Sequence, residues 1–247
     1  NEIDYAQLAH LTSGMSGAGL AGIFNEAALL ATREGAEHIT TDHLIRAIEL
    51  VVVGFKDTAR RLSPEDRMTV AVHEAGHAIV RSALGGHARV SRISIITTSL
   101  GVMGYNLNTL EDETGLLLRT RDEILGDGVC LRGGRAAEQI MVGRISTGAS
   151  DDLRRANRLL YEFITVYGLS EALPHRVLHD EDILWSEYTT QRVDEEIQRL
   201  LGESYARAKQ IIERNRALAS ILADRLVECE ELSSAELQTL LCQVQTD

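Results

Sequence analysis

Apolar residues Leu20, Ile23, Ala27 and Leu30 recur three or four positions apart, the repeat of one face of an α-helix. Ser16 stands just before this run, where its hydroxyl can accept from an unpaired backbone N–H, and Gly35 stands just after it. Similar punctuation predicts a short helix over "YAQLAHL" behind Asp4. It predicts another, "HLIRAIELVV", opened by Thr41 or Asp42 and stopped by Gly54. Residues 1 to about 54 therefore read as a small helical unit.

After the polar link "FKDTARRL" comes "SPED". Ser63 suits an N-cap and Pro64 the first helical position, while Glu65 and Asp66 suit the positive end of the helix dipole. The helix should run from Pro64 to about Leu84, ended by Gly85 and Gly86. "RVSRISIITT" and "GVMGYNLN" are β-branched or alternating and read as strands, with a turn at Ser99 to Gly101. Thr120 to Glu123 form a capping box, opening a helix that should continue toward "GGRAAEQIMVG". "TGAS" precedes "DDLRRANRLLYEFITVYG", a helix capped by Ser150 and closed by Gly168. From about Gln191 to Glu228 one long helix is expected, then a capping box at Ser233 to Glu236 and a final short helix. The expected fold class is mainly α with a small β-sheet.

Composition narrows the setting. The 247 residues are 44% hydrophobic and 25% charged, ordinary for a folded chain of one large or two modest domains. Aromatics are only 4%, so Leu, Ile, Val and Ala must build the core. A net charge of -12 argues against nucleic acid as a partner. The only lysines are Lys56, after "VGF", and Lys209, in a helical run. Neither follows a Gly-rich turn, so no phosphate-binding P-loop and no ATP-hydrolysing core is expected. Cys130, Cys229 and Cys242 are odd in number and far apart, which argues against a disulfide framework or a thiolate metal site and suits a reducing compartment. No apolar run approaches the roughly 20 residues of a membrane span, and no signal peptide is visible. The chain opens without Met and reads as part of something longer.

The candidate chemistry lies mid-helix, in "AVHEAGHAIV". His73 and His77 are four apart and share one helix face, so both imidazoles can reach one ion. Glu74 is rotated about 100° from His73 and cannot ligate in the same way, but it can reach a water on that ion as general base. Two imidazoles and a carboxylate, with a fourth position open, suit zinc. Val70, Val72, Ala75, Ile79 and Val80 mark the helix as buried, and buried polar groups without partners are costly. Gly76 costs about 1 kcal/mol against Ala in a helix, so something must pack closely there. "AIVRSA" follows His77 where a longer signature would carry a third histidine, and His87 reads as a loop residue. Glu138, Asp151 and Asp152 remain as acidic candidates, and spacing does not choose among them.

Taken together, "VAVHEAGHAIV", "RISIITTSLGVMGYNL", "RGGRAAEQIMVG" and "STGASDDLRRAN" resemble the FtsH family of membrane-anchored AAA proteases. "LTSGMSGAGLAGIFNEAALLATREG" resembles the helical lid that ends their ATPase module. The resemblance spans essentially the whole chain, in the family's order. It implies a lid over residues 1–56 and a zinc protease domain over 57–247. It implies zinc ligands His73, His77 and Asp152, a catalytic base Glu74, and Glu138 held behind the ligands. Asp151 stands where the family often has Asn. Gly101, Val102, Met103, Gly104 and Tyr105 would lie along the edge strand on which a substrate peptide adds a strand. Gly17 and Ala18 would lie near a nucleotide only in the presence of an ATPase core, and ATP belongs to the longer parent.

The same resemblance implies unfolded or membrane-protein substrates and a homo-hexamer. It also implies a parent anchored to a membrane, with this part in the cytoplasm or an equivalent organelle compartment. One departure is "SGAGL", with Gly19 where the family usually has Asp. The alternative function is a ring-assembly or regulatory module that does not cleave. A partner-binding role for the long C-terminal helix is disfavoured, because Leu200, Ile211, Leu218 and Leu222 should pack inward. "DEDILWSEYT", with the only Trp, reads as a loop.

Overall fold

Three short helices make the N-terminal unit: α1 (Tyr5–Leu11), α2 (Gly17–Arg33) and α3 (Thr41–Val53). The computed structural model describes residues 3–12, 14–54, 62–85, 88–98, 103–110, 118–174, 177–178 and 185–246. The link residues 55–61, Gly86, His87, the turn at 99–101, Val102 and residues 179–184 lie outside the described residues. The apolar face of α2 closes on α3 through Ile23, Ala27, Leu44, Ala47 and Ile48, with Leu8 of α1 beside them. The cap of α3 is one residue earlier than the sequence suggests. Thr40 Oγ1 accepts from His43 N at 3.3 Å, and Thr40 N donates to His43 Nδ1 at 3.0 Å. A histidine thus fills the role that Glu or Gln usually has in a capping box.

The centre of the remaining chain is α4 (Pro64–Leu84). Ser63 Oγ accepts from Asp66 N at 3.1 Å, and Gly85 leaves the helix with φ of 65°. Residues 71–80 are buried except for the half-buried His77, because other helices and the sheet pack around α4. The sheet is β1 (Ala88–Ser94), β2 (Tyr105–Leu110) and β3 (Glu231–Leu232), antiparallel in the order β2–β1–β3. The second strand starts later than the sequence reading placed it, since Met103 and Gly104 lead into β2 outside the ladder. With β1 in the middle, β2 is an edge strand.

Beyond the sheet, α5 (Arg121–Cys130) opens on the expected Thr120–Glu123 capping box. It does not continue unbroken. The chain restarts as α6 (Gly133–Ala137) and widens into a π-helical turn, Glu138–Val142. A 3₁₀ turn, Thr147–Ala149, then runs straight into α7 (Ser150–Thr165). Ser150 is therefore a helical residue and not the cap. Ser146 caps the 3₁₀ turn instead, with its Oγ accepting from Gly148 N at 3.1 Å.

The predicted single C-terminal helix is two: α8 (Glu187–Arg214) and α9 (Arg216–Cys229). The break is at Asn215. Its Nδ2 donates to Ile211 O (3.0 Å) and Gln245 O (3.1 Å), and its Oδ1 accepts from Gln245 N (2.7 Å). A side-chain amide that competes for backbone partners interrupts a helix. A last helix, α10 (Ser234–Leu241), follows the Ser233–Glu236 capping box. Leu200, Ile211, Leu218 and Leu222 are buried as expected, and Glu213 and Arg214 are exposed. Trp185 packs on the Leu160, Phe163 and Val193 cluster, away from the cleft described below. Among the described residues no helix is long and apolar enough to cross a membrane.

Candidate metal centre

Two imidazoles on α4 face one carboxylate on α7. His73 and His77 have ring centroids 4.7 Å apart, and Asp152 Oδ2 lies 3.1 Å from His73 Nε2 and 3.2 Å from His77 Nε2. The two Nε2 atoms are themselves 3.0 Å apart. The partners of the other ring nitrogens define the tautomers. His77 Nδ1 is 2.8 Å from Cys130 O, which can only accept, so Nδ1 carries a proton. His73 Nδ1 is 2.6 Å from Glu138 Oε1. Glu138 Oε2 accepts from Ser146 N at 2.6 Å. Burial alone would raise the pKa of Glu138, yet the bonds from His73 and Ser146 bring it below the usual range, so it is a carboxylate. In the neutral rings both Nε2 lone pairs and a carboxylate oxygen then meet at one point.

Three acceptors meeting in a largely buried place can hold a cation between them. Burial lowers the pKa of His73, but Asp152 and Glu138 outweigh burial and push it up to about 10. Burial likewise opposes ionisation of Asp152, and the two imidazoles overcome it, holding the group far below the ordinary carboxylate range. Zinc bonds of 2.0–2.1 Å in a tetrahedron place ligand atoms about 3.3 Å apart. The separations of 3.0 to 3.2 Å found here fit that frame with little movement. Asp152 also sits in the first turn of α7, where the helix dipole favours a negative charge.

The other candidates fall elsewhere. Asp151 is exposed, and its Oδ1 accepts from Arg154 Nη1 at 2.7 Å. Glu138, 1% exposed, touches the metal-facing ring only through Nδ1 of His73. Glu74, beside the triad, is buried, and Asn106 Nδ2 donates to its Oε2 at 2.6 Å. Burial raises the pKa of Glu74, against the pull of both histidines and Asn106. Gly17 and Ala18 are exposed in the first turn of α2.

Gly76 has its explanation in α6. A Cβ there would lie 2.5 Å from Gly133 O and 2.6 Å from Ala137 Cβ. Gly134 meets the His73 ring in the same way, with a Cβ falling 2.4 Å from Nε2. The double glycine of "GGRAAE" thus lets one helix backbone lie against another and against a ligand ring. A pair of glycines inside a helical pattern was the available signal for this contact. The Cys130 carbonyl, the π-helical turn and Asn106 left no such mark.

These groups line a cleft of about 960 Å³. One wall is Met103 to Asn108, and the other runs from Ser146 to Arg155. Asp152→Asn is expected to weaken zinc binding by more than about 100-fold, beyond the effect of losing an outer partner. Asp151→Asn should change it by less than about threefold, because an exposed charge is screened. Competition titration against a chromogenic chelator measures both, and equal losses would sink the ligand set.

A model of peptidase family M41 matches residues 60–240. The chain belongs to peptidase family M41. An AAA+ lid domain model matches residues 2–46. The chain is 34% identical to the ATP-dependent zinc metalloprotease FtsH of Helicobacter felis, covering 98% of this chain and 39% of that protein. It is 36% identical to the protein of the same name from Rhodothermus marinus, covering 98% and 35%. For FtsH 2 of Bdellovibrio bacteriovorus the figures are 35%, 97% and 41%. The chain thus spans about two fifths of the length of the curated relatives it matches. The relatives are named zinc metalloproteases, and His73, His77 and Asp152 bring together three atoms that could hold a metal ion here.

Proposed function

We propose that this chain is the proteolytic part of an ATP-dependent endopeptidase, dividing near residues 56 and 57 into lid and protease. The observation that supports this most is a buried Glu74 beside three converging ligand atoms, at the floor of a cleft walled by an edge strand. His73, His77 and Asp152 would hold the zinc, and Glu138 and the Cys130 carbonyl orient the two rings. Bound zinc supplies Lewis acidity to the attacking water and the scissile carbonyl. Glu74 takes the proton of that water and delivers it to the departing amine nitrogen as the C–N bond breaks. Burial raises its affinity for a proton, which suits a group that must take one from water and hold it between two steps.

An unfolded polypeptide would add to the free edge of β2, entering past Met103, Gly104 and Tyr105. Such pairing reads backbone more than side chains, so sequence selectivity should be low. Gly101 and Val102 lie outside the described residues. The ATPase core, with which Gly17 and Ala18 would meet nucleotide, a membrane anchor and a hexameric ring belong to the longer parent in this reading. The parent would then sit at a membrane, with this part in the cytoplasm or an organelle equivalent.

The zinc-loaded chain should cut an unfolded protein such as casein, lose this activity to a chelator, and regain it with zinc. Gel analysis with metal quantification reads the outcome. One zinc per chain with casein left intact would overturn the reading and favour a non-cleaving ring-assembly module.

A further inference from the structure

We propose that Asn106 is a positioning residue that sets the orientation of the Glu74 carboxylate. Asn106 stands on β2, in the wall of the cleft, and reaches across to α4. Its Nδ2 lies 2.6 Å from Glu74 Oε2 and 3.2 Å from the Glu74 backbone oxygen. The backbone oxygen can only accept, so the nitrogen, and not the oxygen, of the amide must face α4. One amide thus holds the side chain and the main chain of the same residue.

The cost of this arrangement is on the other side of the amide. Asn106 Oδ1 is buried and has no hydrogen-bond partner among the described residues. A buried acceptor left without a partner destabilises a fold, and an apolar side chain of the same shape would avoid that cost. A purely structural role therefore does not explain an amide here, whereas a donor aimed at Glu74 does. Gly104, two residues earlier, completes the grip. A Cβ on it would fall 2.8 Å from Glu74 Oε1 and 2.9 Å from Glu74 Cγ. The start of β2 consequently confines both carboxylate oxygens, one by a hydrogen bond and one by close contact. The same strand end guides the substrate in the proposed function, so peptide and proton carrier share one reference frame.

This inference rests on Glu74 acting as the base, and the test separates the two. Asn106→Leu removes the donor, Asn106→Asp replaces it with an acceptor of the same shape, and Asn106→Thr retains a hydroxyl donor. Zinc-loaded variants are compared for kcat and KM on a fluorogenic peptide, together with zinc content and Tm. Loss of positioning should lower kcat by about 10²-fold in the Leu and Asp variants, with KM within twofold and one zinc kept. Asn106→Thr should recover part of that loss, while Asn106→Leu, which removes the cost at Oδ1 but leaves Glu74 Oε2 without its donor, should change Tm little. A Leu variant with parental kcat, or one whose Tm falls while Thr rescues nothing, overturns the proposal.

A second measurement does not depend on cleavage. In the ¹⁵N spectrum of the zinc-loaded chain, one Asn106 side-chain amide proton should be shifted downfield and protected from exchange. Glu74→Ala should abolish both features. An amide proton indifferent to Glu74→Ala overturns the proposal even if peptide hydrolysis is intact. If the parent itself fails to cleave, the proposed function falls, and the spectrum still decides whether Asn106 holds Glu74.

Discussion

Glu74→Gln should leave zinc at one per chain and lower peptide cleavage by about 10²- to 10⁴-fold, the usual contribution of a positioned proton carrier. Glutamine keeps the shape of glutamate but cannot take a proton from water at neutral pH. The proposed ligand atoms belong to His73, His77 and Asp152, so the substitution leaves them in place. The buried environment also accommodates the change, because it disfavours the charge that the substitution removes. Fluorogenic peptide kinetics and atomic absorption on one preparation check both halves. Parental cleavage by the variant would show that another group moves the proton. Loss of zinc along with activity would show that Glu74 ligates or supports the metal directly.

Gly76→Ala is expected to be strongly damaging for so small a substitution. Helix propensity alone favours alanine by about 1 kcal/mol. The new methyl, however, would lie 2.5 Å from Gly133 O and 2.6 Å from Ala137 Cβ. The first obstacle is backbone and the second a Cβ, so no rotamer change relieves the clash, and α4 and α6 must separate. Overpacking of this kind costs about 1–3 kcal/mol and occasionally more. With backbone as the obstacle the upper end applies, and Tm should fall by about 5 °C or more. Zinc affinity should fall too, since α6 carries Gly134 against the His73 ring and leads into Glu138. Gly22→Ala supplies the opposite sign. Gly22 is exposed on α2 with nothing within 4 Å of an added Cβ, so alanine there should raise Tm. Calorimetry on the two variants decides. A stabilised Gly76→Ala would mean that the two helices do not meet at their backbones.

Much of the fold was legible because its signals are local. Ser63, Pro64 and Gly85 bracket α4 where it is found, and Thr120 with Glu123 opens α5. Caps and apolar repeats act within a turn or two, so the chain declares them without knowing its neighbours. The misplaced boundaries have two causes. Ser150 resembles a cap, but the preceding 3₁₀ turn already supplies helical backbone, and Ser146 does the capping. Asn215 resembles a tolerated polar residue inside a helix, but Gln245, distant in sequence, engages its side chain and ends α8. For Asn215 the deciding partner lies outside the window that a local pattern can see, whereas for Ser150 a competing cap four residues earlier decides.

The chain by itself determined the spacing of His73 and His77 on one helix face, the place of Glu74 beside them, and the mainly helical architecture around them. Residue chemistry left Glu138, Asp151 and Asp152 open as the third ligand, and family resemblance pointed to Asp152. Tertiary structure alone decides that Asp152 Oδ2 comes to 3.1 and 3.2 Å from the two rings, that Asp151 turns outward to Arg154, and that Glu138 grips His73 from behind. It also decides which nitrogen of each imidazole is free for a metal, and why Gly76 is not alanine. Helical periodicity is written into a few consecutive residues. Convergence on a point requires several elements to be packed at definite distances, and those distances arise from burial across the whole core.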